Sequence, residues 1–147
     1  GWSDPYVGMN VCKSGRTTGV SSSYVIDVNA TIKVGGYPFG EAVFTDQVLF
    51  NNPGMSAIAP GDSGSLLVTF VGNYPVAVGL CFAGSEVVGV ANRISHVIEL
   101  LGISLGPYIP VPKPRLSDMY VPLAGSAFPP AFALGTLTYS EITKYTG

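Results

Sequence analysis

The alternation of hydrophobic and polar residues predicts a chain built mainly of β-strands. The clearest pattern runs from Tyr24 to Val34, where every second residue is apolar and most of the residues between are polar. Because successive side chains of a strand point to opposite faces, this pattern is typical of a half-buried strand. Glycine and proline residues follow from Gly35 to Gly40, and the run from Ala42 to Phe50 then predicts the second arm of a hairpin.

Four further apolar runs bring the predicted total to six strands. Turn residues such as Gly72-Asn73 separate these runs, which cover Val7 to Lys13, Ser65 to Phe70, Pro75 to Phe82 and Val87 to Ala91. Six short strands with turns between them suit a small closed antiparallel barrel or a sandwich.

The hydrophobic period changes after the last predicted strand. Helical spacing relates Ile94, Val97, Ile98 and Leu101, with Asn92 predicted to cap the helix and Gly102 to end it. This helix closes a barrel domain predicted to span residues 1–102.

The segment 103–147 holds seven of the twelve prolines together with scattered aromatic residues. We expect it to form an extended arm that packs on its own barrel or on a neighbouring molecule.

The charge and the hydrophobic content of the chain indicate which kinds of molecule it can bind. Of the 147 residues, 11% are charged and 47% hydrophobic, and the mean hydropathy is +0.41, so we expect apolar surface that a partner covers. A net charge of −2 without any basic run argues against nucleic acid as a partner. No apolar run reaches the roughly 18 residues that a membrane span needs. Cys12 and Cys81 lack metal-ligand spacing, and either one disulfide or two buried thiols fit the sequence.

The candidate chemistry lies in Gly61-Asp62-Ser63-Gly64, which leads into the fourth predicted strand. A serine hydroxyl becomes a good nucleophile only beside a base, and acyl transfer also needs backbone N–H groups where the oxyanion forms. Glycines on both sides of the serine permit a strained turn that presents the amides of Gly61 and Ser63. The same four residue types also dominate ordinary turns, so the turn alone leaves both interpretations open.

A second motif, Val11-Cys12-Lys13-Ser14-Gly15-Arg16-Thr17-Thr18-Gly19, precedes Gly61-Asp62-Ser63-Gly64-Ser65. Together they resemble the C-terminal half of the chymotrypsin-like serine proteases, above all the secreted bacterial branch that includes α-lytic protease. The resemblance covers Val7 to about Leu101. It implies an all-β fold, namely a six-stranded antiparallel Greek-key barrel with a following helix, and it favours an extracellular protein. The segment after Gly106 has no counterpart in the family.

The resemblance also implies roles for individual residues. Ser63 corresponds to the nucleophile, and the amides of Gly61 and Ser63 correspond to the oxyanion hole. Asp62 corresponds to a buried acid that holds the serine loop, with Lys13 as its expected partner. The remaining matches concern the substrate. Ala57 corresponds to the residue at the floor of the specificity pocket, which implies a pocket for uncharged side chains. The strand that pairs with the peptide corresponds to Leu80, Cys81 and Phe82. Neither a metal nor a cofactor is implied.

The sequence departs from the family in two ways. In the bacterial relatives the first cysteine closes a short disulfide, whereas Ser22 stands at that partner position here. The family takes its catalytic histidine and aspartate from a preceding barrel, which this sequence lacks. The only histidine, His96, falls opposite the apolar stripe of the predicted helix and is expected to face solvent. We therefore expect the chain alone to be nearly inactive.

Two functional hypotheses follow. The first is the nucleophile-bearing half of a serine endopeptidase, which hydrolyses peptide bonds through Ser63. Its histidine and aspartate would come from an N-terminal barrel, on a separate chain or on a segment omitted from this sequence. The alternative is a catalytically inactive barrel that serves as a binding or structural module. Such a module would assemble through its aromatic tail, for example as a homo-oligomer.

Overall fold

The computed structural model describes residues 1–52 and 56–113, and in these ranges the chain forms six strands and one helix. The strands are β1 (Asn10–Gly15), β2 (Gly19–Tyr37), β3 (Gly40–Asn51), β4 (Leu66–Val71), β5 (Tyr74–Gly84) and β6 (Val88–Arg93), and the helix is α1 (Ile94–Leu101). The six predicted strands and the following helix are thereby confirmed.

All strand pairs are antiparallel, and the sheet closes into a barrel in the order β1-β2-β3-β6-β5-β4. The chain therefore leaves β3 and crosses to β4, which lies on the far side of β6 and β5. That crossover contains the serine turn. The barrel closes between β1 and β4 through one residue pair, Cys12 with Val68, whereas each other junction has four pairs or more. The β1–β4 junction, which we call the seam, is thus the least extensively paired part of the barrel.

The strands β2 and β3 are longer than the alternation predicts, because their pairing continues through irregular positions. Between the pairs Ala30–Gln47 and Ile32–Phe44, β3 has one more residue than β2. Asp46 lies in this bulge with φ of 56°, in the left-handed region that non-glycine residues seldom occupy. The extra residue interrupts the alternation that sequence reasoning depends on.

Two clusters of buried apolar side chains fill the barrel. The larger cluster contains Met9, Val11, Val25, Val48, Phe50, Ala57, Ile58, Leu67, Val78, Cys81 and Ala91. The smaller one contains Ala30, Ile32, Val34, Leu49, Ala83, Val88 and Val90. Close packing in the larger cluster depends on Gly89, since a Cβ there would collide with the ring of Phe50, which faces it across the sheet.

The helix ends as predicted but begins differently. Gly102 adopts a left-handed conformation with φ of 62° and donates its N–H to the carbonyl of Ile98. Asn92 is not the cap, because it belongs to β6 and donates its side-chain amide to Gln47 Oε1 at 2.9 Å. Leu101, expected in the buried stripe, is 65% exposed. No helix within the described ranges is long and apolar enough to cross a membrane.

The first residues of the chain pair with the segment after the helix. Trp2 donates its N–H to Pro107 O at 3.1 Å and accepts from the N–H of Ile109 at 2.8 Å. The ring of Trp2 also makes an edge contact with Tyr108, with 5.0 Å between centroids. The beginning of the predicted arm thus lies along the N-terminal segment, and the arm from residue 114 lies outside the described residues.

Candidate active site

The serine turn places its acid inside the protein and its serine outside. Gly61 and Gly64 have φ of 100° and 89°, in the region that favours glycine. Between them the side chain of Asp62 is fully buried, and Ser63 is exposed. The N–H of Ser65 donates to the carbonyl of Asp62 at 3.0 Å, which closes the turn. The two glycines thus let two adjacent side chains face opposite environments.

Strand β5 fixes the turn from its other side. Gly64 donates its N–H to Cys81 O at 2.8 Å, and Cys81 donates its own N–H to Ser65 O at 2.9 Å. The hydroxyl of Ser63 donates to the carbonyl of Phe82 at 3.1 Å. Because these bonds continue the β4–β5 ladder past its last pair, Leu66 with Leu80, Ser63 lies at the edge of β5.

The buried carboxylate of Asp62 accepts four hydrogen bonds. Its Oδ1 accepts from the N–H groups of Thr17 at 2.8 Å and Thr18 at 3.1 Å. Its Oδ2 accepts from the hydroxyl of Thr18 at 2.7 Å and from the N–H of Ala59 at 3.0 Å. Burial by itself raises the pKa of Asp62, but these hydrogen bonds outweigh it and lower the pKa from 3.8 to about 2. Asp62 is therefore ionised inside the protein at neutral pH.

The contact expected between Asp62 and Lys13 is present. The Nζ of Lys13 lies 3.6 Å from Oδ2 of Asp62, and their side chains are 1% and 0% exposed. Lys13 also donates to the hydroxyl of Thr18, and its Nζ lies 3.4 Å from the carbonyl of Gly19. Burying an isolated charge is unfavourable in free energy. In this pair each side chain supplies the opposite charge that the other needs.

Sequence reasoning missed the threonines and one glycine of this network. Thr17 and Thr18 lie in the turn between β1 and β2 and close over the carboxylate, and Thr17 also donates its hydroxyl to Pro60 O at 2.5 Å. A Cβ at Gly15 would collide with the carboxylate of Asp62, so a glycine is needed there. The adjacent threonines Thr17 and Thr18, in a turn that begins and ends with glycine, could have indicated a hydrogen-bonding loop. The local sequence does not indicate which distant groups their hydroxyls bind.

The four residues expected at a substrate pocket do not share one environment. Ala57 and Cys81 are fully buried in the larger core cluster. Burial raises the pKa of the Cys81 thiol to about 12, so this thiol stays protonated at neutral pH. Leu80 and Phe82 point to the opposite face of β5 and are half-buried, and the ring of Phe82 packs on Phe44 with 4.8 Å between centroids. Phe82 adjoins Ser63, because its backbone carbonyl accepts the hydrogen bond of the serine hydroxyl.

His96 is less exposed than the helical spacing predicts. His96 is half-buried and lines a pocket together with Asp46 and Leu80. None of the turn residues from Gly61 to Gly64 lines that pocket. The serine turn therefore does not share in the lining of this pocket. Across the described part of the chain, no group of three or more histidine, cysteine, aspartate or glutamate side chains could hold a metal ion.

Both cysteines are free thiols. Cys12 lies on β1 opposite Ser22, and their Sγ and Oγ atoms are 3.3 Å apart, within hydrogen-bonding distance. Of the two alternatives that the sequence left open, the structure has two thiols, but only Cys81 is buried and Cys12 is partly exposed. Ser22 thus occupies the position that the resemblance assigns to the second cysteine. The contact between Cys12 Sγ and Ser22 Oγ takes the place of the disulfide of the bacterial relatives.

Comparison with solved structures finds serine proteases of the chymotrypsin type. A glutamic acid-specific serine protease matches with a TM-score of 0.52 and 26% identity, over 69% of this chain and 50% of its own. The chymotrypsin of Cellulomonas bogoriensis matches with a TM-score of 0.53 and 24% identity, over 69% of this chain and 52% of its own. No protein-family model matches the chain, and no curated protein does.

Each match covers about two thirds of this chain but only about half of the protease. The likeness concerns the backbone arrangement of six antiparallel strands and one following helix, as the two motifs in the sequence had implied. The chain thus has the fold of the chymotrypsin-like serine proteases, over about half the length of the two that it matches.

Proposed function

We propose that this chain is the nucleophile-bearing half of a serine endopeptidase and that a partner barrel supplies the histidine and aspartate. The observation that carries the proposal is the buried network at Asp62. Five groups converge on one carboxylate and hold a turn whose outward residue is Ser63. A plain connection between two strands needs no such arrangement, whereas a nucleophile must be held within a fraction of an ångström of its working position.

The proposed reaction is acyl transfer to Ser63. The hydroxyl oxygen attacks the carbonyl carbon of a peptide bond while the histidine of the partner accepts its proton. The amides of Gly61 and Ser63 donate to the oxyanion of the tetrahedral intermediate. The histidine then protonates the leaving amine, and water releases the acyl group from Ser63 by the same steps. The aspartate of the partner orients the histidine throughout.

The surface beside the serine supports a partner of this kind. Phe82, whose carbonyl accepts from Ser63, packs on Phe44, and Phe44 lines the His96 pocket. Around this pocket Val43, Leu100 and Leu101 are 59%, 83% and 65% exposed. Apolar side chains therefore lie both next to the serine and around the pocket of the helix, and exposed apolar patches are typical of surfaces that bind another protein. A barrel docked there would bring its residues next to Ser63.

The proposed substrate is a peptide with an uncharged side chain at the cleavage site. Ala57, the residue expected at the pocket floor, carries no charge and is surrounded by the apolar core. A lysine or arginine of the substrate would lack a counter-charge there, and an unpaired buried charge is unfavourable. The proposed site also includes Leu80, Cys81 and Phe82, on the strand that the family resemblance assigns to contact with the peptide.

Labelling with a fluorophosphonate probe tests the proposal. The probe reacts with an activated serine, so we expect it to label Ser63 in the protein isolated from its natural source without denaturation. We expect almost no labelling of the 147-residue chain alone. The Ser63→Ala variant is the control for the site, and intact mass measurement of the labelled assembly identifies the partner. If the natural assembly contains the chain with Ser63 unlabelled, the enzymatic proposal is wrong and the assembly-module hypothesis is favoured.

A further inference from the structure

A groove lies on the outside of the barrel at the seam between β1 and β4. Its volume is about 740 Å³, within the range of pockets that hold several side chains. The walls come from the N-terminal segment, from β1, β2 and β4, and from the chain after the helix. Apolar and aromatic residues dominate its lining, among them Tyr6, Tyr24, Phe70, Val71, Val111 and Pro112.

Among the described residues that line the groove, none has a charged side chain. Its remaining lining residues are neutral, including Cys12, Ser22 and Thr69. This distinguishes it from the pocket beside Leu80, where Asp46 and His96 are present. Phe70 is 52% exposed and Val71 is 37% exposed, so apolar surface at the groove remains in contact with solvent. An uncharged, apolar segment fits such a lining better than a charged one.

The described chain itself leads into the groove. Val111 and Pro112 are part of the lining. The hydroxyl of Tyr6 donates a hydrogen bond to the carbonyl of Pro112 at 3.3 Å. Lys113 follows, and 34 further residues come after it in the sequence. A segment tethered at the edge of a site has a high effective concentration there, so even weak contacts suffice to hold it.

The sequence after Lys113 has the matching chemistry. From residue 119 to residue 140 there is no charged side chain, and the segment contains Tyr120, Phe128, Phe132 and Tyr139 together with three prolines. We propose that this segment of the chain itself docks in the groove and covers the seam, with its aromatic side chains against Tyr24 and Phe70. The segment thereby adds apolar contacts at the junction where the barrel has a single residue pair. This role is independent of catalysis by Ser63.

Photo-crosslinking in the full chain tests the proposal. Benzoylphenylalanine is introduced at Phe128 in one protein and at Phe132 in another, and each is illuminated at low protein concentration. Mass spectrometry of the digest then maps the crosslinks. We expect intrachain crosslinks to peptides that contain Tyr6, Cys12, Tyr24 or Phe70. Crosslinks that map to the His96 pocket, join two copies of the chain, or fail to form at both positions would overturn the proposal.

Two matched substitutions separate docking from general instability. Phe70 and Val43 are both strand residues, 52% and 59% exposed, so an aspartate at either position causes little loss of packing. Phe70→Asp introduces a charge into the groove and should lower the crosslink yield at least about fivefold, the equivalent of about 1 kcal/mol. Val43→Asp lies near the His96 pocket and should leave the yield unchanged. Equal yields in the two variants would also refute docking in the groove.

Discussion

The hydroxyl of Thr18 donates to Oδ2 of Asp62 at 2.7 Å and accepts a hydrogen bond from Nζ of Lys13. One hydroxyl thus connects the two buried charges, in addition to their direct approach of 3.6 Å. Thr18 lies in the β1–β2 turn, and Asp62 lies in the crossover between β3 and β4. The contact therefore joins two loops that are distant in sequence and fixes the position of Ser63 next to the acid.

The first prediction concerns the pH dependence of stability. The pKa of Asp62 is about 2 in the folded protein and 3.8 as its ordinary value. A carboxyl whose pKa is lowered on folding stabilises the protein above its ordinary pKa and loses that effect as the pH falls through the folded value. We expect Asp62 to contribute about 2 kcal/mol, lost between about pH 4 and pH 2. Urea unfolding followed by circular dichroism from pH 2 to pH 6 measures this loss.

The Thr18→Val variant isolates this contribution from that of the other carboxylates. It removes the hydroxyl that donates to Asp62 and accepts from Lys13, and it keeps the size of the side chain and the backbone N–H donor. The folded pKa of Asp62 should rise toward 3.8, so the variant should be less stable at pH 6 and should lose less stability on acidification. Parallel pH profiles for the two proteins would contradict the assignment of the low pKa to this hydrogen bond.

The second prediction concerns Lys13. Replacing it with methionine leaves the Asp62 charge buried without its cation, and breaking such a pair costs about 3 kcal/mol. We expect Lys13→Met to lower the free energy of unfolding by that amount at pH 7. Lys33→Met is the matched control, because Lys33 is exposed on β2 and its loss should change stability by less than about 0.5 kcal/mol. Similar losses in the two variants would mean that the Lys13–Asp62 contact adds no stability.

The Lys13–Asp62 contact also shows which features the sequence could predict. The strand alternation, the end of the helix at Gly102 and the Lys13–Asp62 contact were all accessible, because periodicity, turn chemistry and family motifs express them directly. The hydrogen bonds from Thr18 and the half-buried setting of His96 were not. Each depends on a residue brought near from another strand or loop, and single-chain patterns contain no information on that neighbour. Asn92 illustrates the point, since its amide binds Gln47 on β3 instead of capping the helix.

The third prediction compares the two glycines of the serine turn. Both have positive φ, so alanine is strained at either position. At Gly61 a Cβ would also collide with the hydroxyl of Thr17, whereas at Gly64 no atom lies within 4 Å. We expect Gly64→Ala to cost about 1 kcal/mol from strain and Gly61→Ala to cost about 3 kcal/mol. Chemical denaturation of the two variants measures the difference, and equal costs would show that the contact with Thr17 relaxes freely.

The last prediction concerns the packing of Phe50 on Gly89. A Cβ at Gly89 would lie only 2.2 Å from a ring carbon of Phe50, which is fully buried. Protein interiors are close-packed, so Gly89→Ala forces the ring or the strand to move and should cost about 2 kcal/mol. Phe50→Leu removes the crowding ring at a cost of its own. In the double variant Gly89→Ala/Phe50→Leu the two effects should compensate in part, so that it is at least about 1 kcal/mol more stable than additivity predicts. Strict additivity would show that the collision is relieved elsewhere in the barrel, and the double-mutant cycle at pH 7 distinguishes the two outcomes.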